Sequence, residues 1–304
     1  MNTSRRAFLK TSALAATGMA LFANEMMAAS KPGKALVGIQ LYSIRDEMGK
    51  DPLGTLKQLA AMGYKHVEHA NYRDRKFYGY SATEFKKILD DLGMTMPSGH
   101  TVMGRDHWDE SKKEFTSLWK YTVEDAATLG QKFVISPWLD ESLRKTHDDL
   151  LRYMEVFNKS GELCQKSGMK FGYHNHDFEF SQKLDGKILY DLMLQNTDPD
   201  LVMQQLDFGN MVNGGARAAE WINKYPGRFQ SLHVKDEIAS QSEGHGYEST
   251  ILGQGIVGVK DVLALARKKG GSIHLIIEQE AYQGKAPLDC VKEDLAIMKT
   301  WGYK

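Results

Sequence analysis

The sequence has few cysteines, few prolines and no excess charge of either sign. Cys164 and Cys290 are the two cysteines among 304 residues. Their spacing excludes a CxxC redox motif, a cysteine zinc knuckle and a disulfide scaffold, and leaves open one disulfide between them. Basic and acidic side chains balance at 39 each, which argues against a nucleic-acid partner because phosphate binding needs a basic patch. With 7 prolines and 42% hydrophobic residues, the chain has no linker-like segment after its N-terminus and can bury a sizeable core.

The N-terminus has the pattern of a targeting segment. Arg5 and Arg6 precede an apolar run over residues 13–23, which ends among small residues at 28–30. The run is too short and too rich in Ala and Gly to span a membrane, and no cysteine nearby could carry a lipid. The segment resembles a twin-arginine signal. We therefore expect residues 1–30 to be a signal peptide and residues 31–304 to be exported to the periplasm or another extracytoplasmic space, without a stable membrane anchor.

Short β-rich runs alternate with longer segments of helical period from residue 34 onward. This alternation predicts parallel βα units. Eight such units in about 270 residues match a single-domain α/β protein of the (β/α)8 TIM barrel type. A doubly wound open sheet is the alternative, but its phosphate-binding motifs GxGxxG and GxxxxGK[ST] are absent. The expected strands are 36–42, 66–70, 95–100, 132–137, 170–176, 201–207, 229–235 and 273–280. The expected helices are 52–62, 82–92, 112–129, 147–167, 188–195, 216–225, 259–268 and 288–301.

Polar residues gather at the carboxyl ends of the late strands, where a barrel places its functional site. Imidazole and carboxylate groups from adjacent strands are the donors that a divalent cation requires. We expect one metal ion, whether Mn, Zn, Co or Fe, although each side chain could instead be hydrogen-bonded and have no ligand role. The expected ligands are His174, Asp207, His233 and Glu278. Because side chains alternate along a strand, four pairs share a face: His174 with His176, Gln205 with Asp207, His233 with Lys235, and Glu278 with Glu280.

Six short motifs carry a family resemblance: 38–43 (GIQLYS), 173–176 (YHNH), 206–210 (LDFGN), 233–236 (HVKD), 253–255 (GQG) and 277–279 (IEQ). With the strand pattern, they resemble the xylose isomerase-like barrel family of sugar isomerases and epimerases. The resemblance implies a divalent metal held by Glu, Asp, His and Glu, and movement of a proton beside a sugar carbonyl. Asp207, His233 and Glu278 match the last three ligand positions. His174 stands where many relatives have the first Glu.

This replacement bears on the expected chemistry. Epimerases of the family use two facing glutamates, and His174 removes one of them. One strong base then remains, Glu278, with Lys235, His100 or His176 as acid or as electrostatic support for an enolate. Isomerisation or epimerisation through a metal-stabilised enediolate is the expected activity. A lyase reaction that cleaves 3-keto-glycosides by β-elimination is the alternative, and exported relatives of the family support it.

Other residues are expected to bind a small sugar or glycoside. Glu68 is expected to contact a sugar hydroxyl or to orient a ligand histidine, and Gln205 is expected to contact the substrate. Trp108 and Trp138 lie in or beside predicted top-face loops, where their rings are expected either to stack on a pyranose ring or to pack within the loops. Residues 237–258 have the composition of a mobile flap. A metal-dependent endonuclease and a non-catalytic sugar-binding barrel are further alternatives, and the sequence leaves homo-oligomerisation open.

Overall fold

Eight parallel strands close into a barrel in the computed structural model, which describes residues 35–240 and 246–304. Each strand pairs with its neighbours in sequence, and the last pairs with the first. This is the (β/α)8 barrel that the sequence predicts; the predicted signal peptide, residues 1–30, lies outside the described residues. The strands are β1 (Leu36–Gln40), β2 (His66–His69), β3 (Thr95–His100), β4 (Phe133–Ser136), β5 (Lys170–His174), β6 (Val202–Asp207), β7 (Ser231–Val234) and β8 (His274–Ile277).

One principal helix follows each strand. Asp51 caps the first helix by accepting the N–H of Gly54, and the helix ends at Gly63, whose φ of 103° suits glycine. No helix of the described residues is long and apolar enough to cross a membrane. The helices are α1 (Pro52–Met62), α2 (Ala82–Asp91), α3 (Ser117–Leu129), α4 (His147–Gln165), α5 (Leu189–Gln195), α6 (Ala218–Lys224), α7 (Val259–Leu265) and α8 (Pro287–Thr300). Shorter helices at Arg45–Lys50, Phe178–Ser181 and Phe208–Asn213 lie on the loops that follow β1, β5 and β6.

Two helices differ from their expected bounds by three residues or more at one end. Helix α3 begins at Ser117 because Trp108–Asp109 pairs with Glu114–Phe115 in a short antiparallel hairpin, which occupies residues expected to be helical. Helix α7 ends at Leu265, and the chain continues as a π-helical turn over Ala266–Gly270. Strand β8 ends at Ile277, so Glu278 and the residues after it leave the sheet.

The alternation along β5 shows how the strands divide the core. Phe171 packs against Trp119 of α3 and Phe157 of α4, with ring centroids 5.9 and 4.9 Å away. Phe171 therefore faces the helices, and His174, of opposite parity, faces the barrel interior. A separate cluster of Phe133, Ile135 and Met203 fills the interior. Cys164 and Cys290 are both buried and unpaired.

The segment after β7, where the sequence predicts a flap, contains a hairpin. Asp236–Ala239 pairs antiparallel with Tyr247–Thr250. The loop beyond the hairpin is held by the Asp236 carboxylate, which accepts the N–H groups of Gly253 at 2.8 Å, Gly255 at 3.1 Å and Val257 at 3.1 Å. Gly255 is required here because a Cβ would lie 2.3 Å from Asp236 Oδ1. These bonds order most of a segment whose composition predicts mobility.

Candidate metal centre and active site

Four side chains from four neighbouring strands converge at the carboxyl end of the barrel. His174 ends β5, Asp207 ends β6, His233 lies in β7 and Glu278 follows β8. Each is buried and offers one ligand atom, and these four atoms lie within 4.8 Å of one another. The fold therefore brings together the four residues that the sequence predicts as metal ligands.

Two polar atoms of the cluster have no hydrogen-bond partner among the described residues. They are His174 Nδ1 and Asp207 Oδ2, both buried, and Asp207 Oδ2 lies 3.7 Å from His233 Nδ1 and 3.9 Å from Lys235 Nζ. The other oxygen of Asp207 accepts the N–H of Asn210 at 2.7 Å, because Asp207 caps the short helix that follows β6. Buried polar atoms without partners cost about 1–3 kcal/mol each. A divalent cation fits this position because it would satisfy both atoms.

Glu68 holds His233 in the orientation that ligation needs. Glu68 Oε1 accepts hydrogen bonds from His233 Nε2 at 2.6 Å and from Gln40 Nε2 at 2.8 Å. Glu68 Oε2 accepts from Gln205 Nε2 at 2.9 Å and from Ser98 Oγ. A proton on His233 Nε2 leaves Nδ1 to face the cluster. Glu68 is 0% exposed, so it cannot reach a sugar hydroxyl; of the two predicted roles, the structure supports the orientation of a histidine.

The charges of the cluster follow from its surroundings. Burial lowers the pKa of His174 well below its usual range, so this imidazole is neutral, as a ligand must be. Burial opposes ionisation of Asp207, but Lys235 and His233 outweigh it and hold its pKa far below the usual range. Burial also opposes protonation of His233, but Glu278 and Glu68 outweigh it and raise its pKa. His233 would therefore release a proton on binding a cation.

Gln205 orients His100 and has no surface open to a substrate. Its Nε2 donates to Glu68 and to Ser231 Oγ at 3.0 Å, which fixes the amide with Oε1 towards His100 Nε2 at 2.6 Å. Because an amide oxygen only accepts, His100 carries a proton on Nε2. Gln205 is 0% exposed, so its predicted substrate contact is replaced by a positioning role.

Lys235 and His176 lie beside the cluster; Lys235 is positively charged, and His176 is neutral. Lys235 Nζ contacts Glu280 and lies 3.5 Å from Glu278 Oε2. Burial lowers the pKa of Lys235, but Asp207 and Glu280 outweigh it and raise the pKa well above its usual range. Lys235 is thus a fixed positive charge. Burial lowers the pKa of His176 to about 4, so His176 is neutral near neutral pH and is a poor proton donor.

A cavity of about 530 Å³ opens beside the cluster. Glu278 and His100 line it, whereas the other three expected ligands do not. Its remaining wall carries aromatic and apolar side chains, among them Tyr42, Tyr72 and Tyr121. Glu278 is therefore the cluster carboxylate that a substrate in this cavity would meet.

The two tryptophans have different surroundings. Trp108 lines a separate cavity of about 250 Å³, and its Nε1 donates to Glu110 Oε2 at 2.8 Å. Trp108 therefore does not line the cavity that Glu278 lines, and its predicted stacking on a sugar has no support from the structure. Trp138 is 40% exposed, and its ring lies 5.1 Å from that of His176. Trp138 therefore lies beside the site, where the sequence places it.

Several positioning residues have no role in the sequence-based prediction. Asn175 joins the end of β5 to the end of β6 by two hydrogen bonds. Its Oδ1 accepts the N–H of Asp207 at 3.0 Å, and its Nδ2 donates to the Asp207 carbonyl at 3.2 Å. The loop after Glu278 is held by Ser249 Oγ, which accepts the N–H of Glu280 at 2.7 Å. Asn175 lies within one of the family motifs, which could have indicated it. Ser249 lies in none of them.

Comparisons with known proteins agree with this geometry. The family model described as xylose isomerase-like TIM barrel matches residues 56–301. An inosose dehydratase of Clostridium perfringens is 35% identical over 192 residues, which cover 60% of this chain and 62% of that protein. The chain thus spans less than two thirds of the length of the curated relatives it matches.

Solved structures give the same fold. A sugar phosphate isomerase/epimerase of Parabacteroides distasonis is 28% identical, with a TM-score of 0.74 over 90% of this chain and 95% of that chain. The IolI protein with a bound zinc atom is 13% identical, with a TM-score of 0.66 over 88% of this chain and 99% of that chain. This second likeness shows the fold alone.

Proposed function

Since this chain belongs to the xylose isomerase-like TIM barrel family, we propose that it is a metal-dependent enzyme. In this proposal it enolises a keto sugar and expels a leaving group by β-elimination. One observation carries the proposal: Glu278 is the cluster carboxylate that also lines the cavity. The site therefore presents one base to a substrate. The similarity to proteins named dehydratases supports an elimination.

The expected ligands His174, Asp207, His233 and Glu278 would hold the metal ion. A divalent cation bound there would supply Lewis-acid stabilisation of the negative charge on the enolate oxygen. Manganese, zinc, cobalt and iron all suit this donor set, and the bound zinc of the distant IolI structure supports zinc as one candidate.

We assign the residues the following roles in the cleavage of a 3-keto-glycoside. Glu278 removes the proton from C2, and the electron pair moves to the carbonyl oxygen on C3. When the carbonyl re-forms, a C1–C2 double bond forms, the C1–O bond breaks, and its electron pair leaves on the aglycone oxygen, which takes up a proton. The products are an unsaturated keto sugar and an alcohol, and Glu278 returns its proton to solvent. Lys235, 3.5 Å from Glu278, places a positive charge beside the developing negative charge.

Isomerisation or epimerisation is the second candidate, and the 28% identity to a sugar phosphate isomerase/epimerase favours it. In that reaction the enolate would be reprotonated, and the carbon framework would be retained. Epimerisation also needs a second acid on the opposite face of the substrate. His174 stands where a second carboxylate would act, which is why we prefer elimination.

Proton exchange and product analysis test the proposal together. Methyl 3-keto-β-glucoside and free 3-keto-glucose are incubated in D2O with Mn²⁺ or Zn²⁺ and followed by NMR. We expect methanol release from the glycoside, and we expect Glu278→Gln to slow C2 exchange about 10²- to 10⁴-fold. Glu155→Gln, whose side chain is 70% exposed, should exchange like the unaltered protein. Exchange that persists unchanged in Glu278→Gln removes Glu278 as the base, and isomerised sugar without methanol favours the second candidate.

We also propose that residues 1–30 direct export. The support is the sequence itself, in which Arg5 and Arg6 precede the apolar run at 13–23. When the full chain is expressed, the protein should be found in the periplasm and be about thirty residues shorter. The double substitution Arg5→Lys with Arg6→Lys should keep the protein in the cytoplasm at full length. Lys10→Arg serves as the control. Export at the same level by the double variant would contradict this proposal.

A further inference from the structure

The cavity beside Glu278 collects much of the exposed apolar surface of the described residues. Eight large hydrophobic side chains are exposed among the described residues. Four of them line this cavity: Tyr42, Val102, Leu118 and Tyr121. Single exposed apolar side chains are ordinary, but a cluster in a concave surface next to a catalytic group is typical of a ligand site. The wall is therefore suited to an apolar ligand.

The cavity is larger than a single sugar ring needs. Its volume of about 530 Å³ lies in the range of about 300–1,000 Å³ that holds drug-sized ligands. Glu278 lies on its wall, so a sugar placed for proton removal by Glu278 leaves the rest of the cavity for a second group. Elimination puts the leaving group on the carbon next to the one that loses its proton. The leaving group must therefore lie close to Glu278.

Two tyrosines of the cavity wall contact a charged pair, in which Arg75 is bound to Asp125. Arg75 donates to Asp125 at 2.6 and 3.0 Å and to Glu124 at 3.0 Å, and its guanidinium lies 4.2 Å from the centroid of the Tyr121 ring. Tyr72 donates its hydroxyl to Asp125 at 2.6 Å. Arg75 therefore contacts the Tyr121 ring while its charge is paired with Asp125 and Glu124. The neighbouring Arg73 and Asp74 also line the cavity, with opposite charges.

We infer that this cavity is the subsite for the leaving group, and that it selects glycosides whose leaving group is an aromatic or otherwise apolar alcohol. The inference rests on the proposed function. Tyr42 and Tyr121, each with an arginine over one face of its ring, offer aromatic contact, and Val102 and Leu118 offer aliphatic contact. The product alcohol would leave from the same cavity after the C1–O bond breaks and its oxygen takes up a proton.

A matched set of 3-keto-β-glucosides tests the inference. Benzyl and methyl leaving groups are both primary alcohols of similar acidity, so the ratio of their kcat/KM values reports on the apolar contact. We expect a benzyl-to-methyl ratio of about 10 to 100 for the unaltered protein. Leu118→Ser and Tyr121→Ala should each lower this ratio about fivefold or more. Leu118 is 54% exposed, so its substitution leaves the core intact, and a thermal melt checks this.

Ile256→Ser is the matched control. Ile256 is 59% exposed and lines a different cavity, so its substitution should leave the ratio unchanged. A ratio near one in the unaltered protein, or a ratio that Leu118→Ser does not alter, overturns the inference and leaves the proposed function standing. A glucosyl leaving group that is cleaved faster than benzyl also overturns it, since the cavity would then select a sugar.

Cleavage of neither glycoside would instead count against the proposed function. The subsite is then judged by calorimetric binding of the two glycosides to the metal-loaded protein. Tighter binding of the benzyl compound that Leu118→Ser abolishes supports an apolar subsite. Equal affinities for the two compounds overturn it.

Discussion

Glu68 accepts hydrogen bonds from four side chains inside the barrel: Gln40, Ser98, Gln205 and His233. All four are donors, and a carboxylate has enough lone pairs to serve them. Burial opposes ionisation of Glu68, but His100 and His233 outweigh it and hold its pKa well below the usual range. The charge of Glu68 is therefore kept in a position where it sets the tautomer of His233 without touching a substrate.

The substitution Glu68→Gln should weaken both metal binding and folding. The amide NH2 would face donors on at least one side, and the buried imidazole of His233 would lose its anionic partner. We expect affinity for Mn²⁺ or Zn²⁺ to fall about 10- to 100-fold, measured by calorimetric titration, and the free energy of unfolding to fall by about 2–4 kcal/mol, measured in urea. The exposed control Glu155→Gln should change neither quantity. Unaltered cation affinity in Glu68→Gln would contradict the orienting role of Glu68.

At the scale of elements, the hairpin of Asp236–Ala239 and Tyr247–Thr250 supports the loop that carries Glu278. Ser249 of the hairpin accepts the N–H groups of Glu280 and Ala281 at 2.7 and 2.9 Å. The hairpin is in turn joined to the loop over Gly253, Gly255 and Val257 through the Asp236 carboxylate. The segment is therefore connected to the residues just after the proposed base through hydrogen bonds that side chains accept from backbone N–H groups.

The substitution Asp236→Asn should loosen this loop. Asp236 Oδ2 accepts two N–H groups, from Gly253 and Gly255, and an amide NH2 in its place would set donor against donor. We expect the free energy of unfolding to fall by about 1–3 kcal/mol and hydrogen exchange at these two amides to rise at least about tenfold. Asp261→Asn, an exposed position in the first turn of α7, is the control. Exchange rates that match the control would mean that the carboxylate does not order the loop.

At the scale of the whole molecule, a cation would join four strands that are distant in sequence. The donors run from His174 to Glu278, and each is placed by a different βα unit. Because the donors approach one another only after the barrel closes, binding is expected to stabilise the folded state and not the unfolded chain.

Added metal should therefore raise the melting temperature of protein stripped with a chelator. At a free concentration of 100 times Kd, the stabilisation is about 2.7 kcal/mol. For a domain of this size, that corresponds to a rise of roughly 5–10 °C, measured by thermal melts with Mn²⁺ or Zn²⁺. Asp207→Asn should lose most of the rise, whereas the exposed control Asp148→Asn should keep it. Equal melting temperatures with and without metal would contradict a cation site.

Some features of the fold and of the site can be predicted from the sequence, and others cannot. The sequence predicts that His174 and His176 share a face of one strand; the strand β5 ends at His174, and the two rings nevertheless lie 5.1 Å apart. Helix α1 has the bounds 52–62 that the sequence predicts, and the structure shows Asp51 at its N-terminal cap and Gly63 just after its end. The start of α3 was not predictable because it depends on a hairpin pairing, and composition does not reveal that the Asp236 carboxylate accepts backbone N–H groups of the loop beyond the hairpin after β7.

The sequence by itself determined the barrel and the set of residues that converge at its carboxyl end, because strand alternation and parallel strand order are local rules. Tertiary structure alone decided that Glu68 lies beneath His233, 165 positions away in sequence, and that Trp138, not Trp108, lies beside the site. It also decided which exposed apolar side chains share a cavity with Glu278. These relations depend on packing between units that no local pattern encodes, since a side chain's partner across the barrel is set only when the sheet closes.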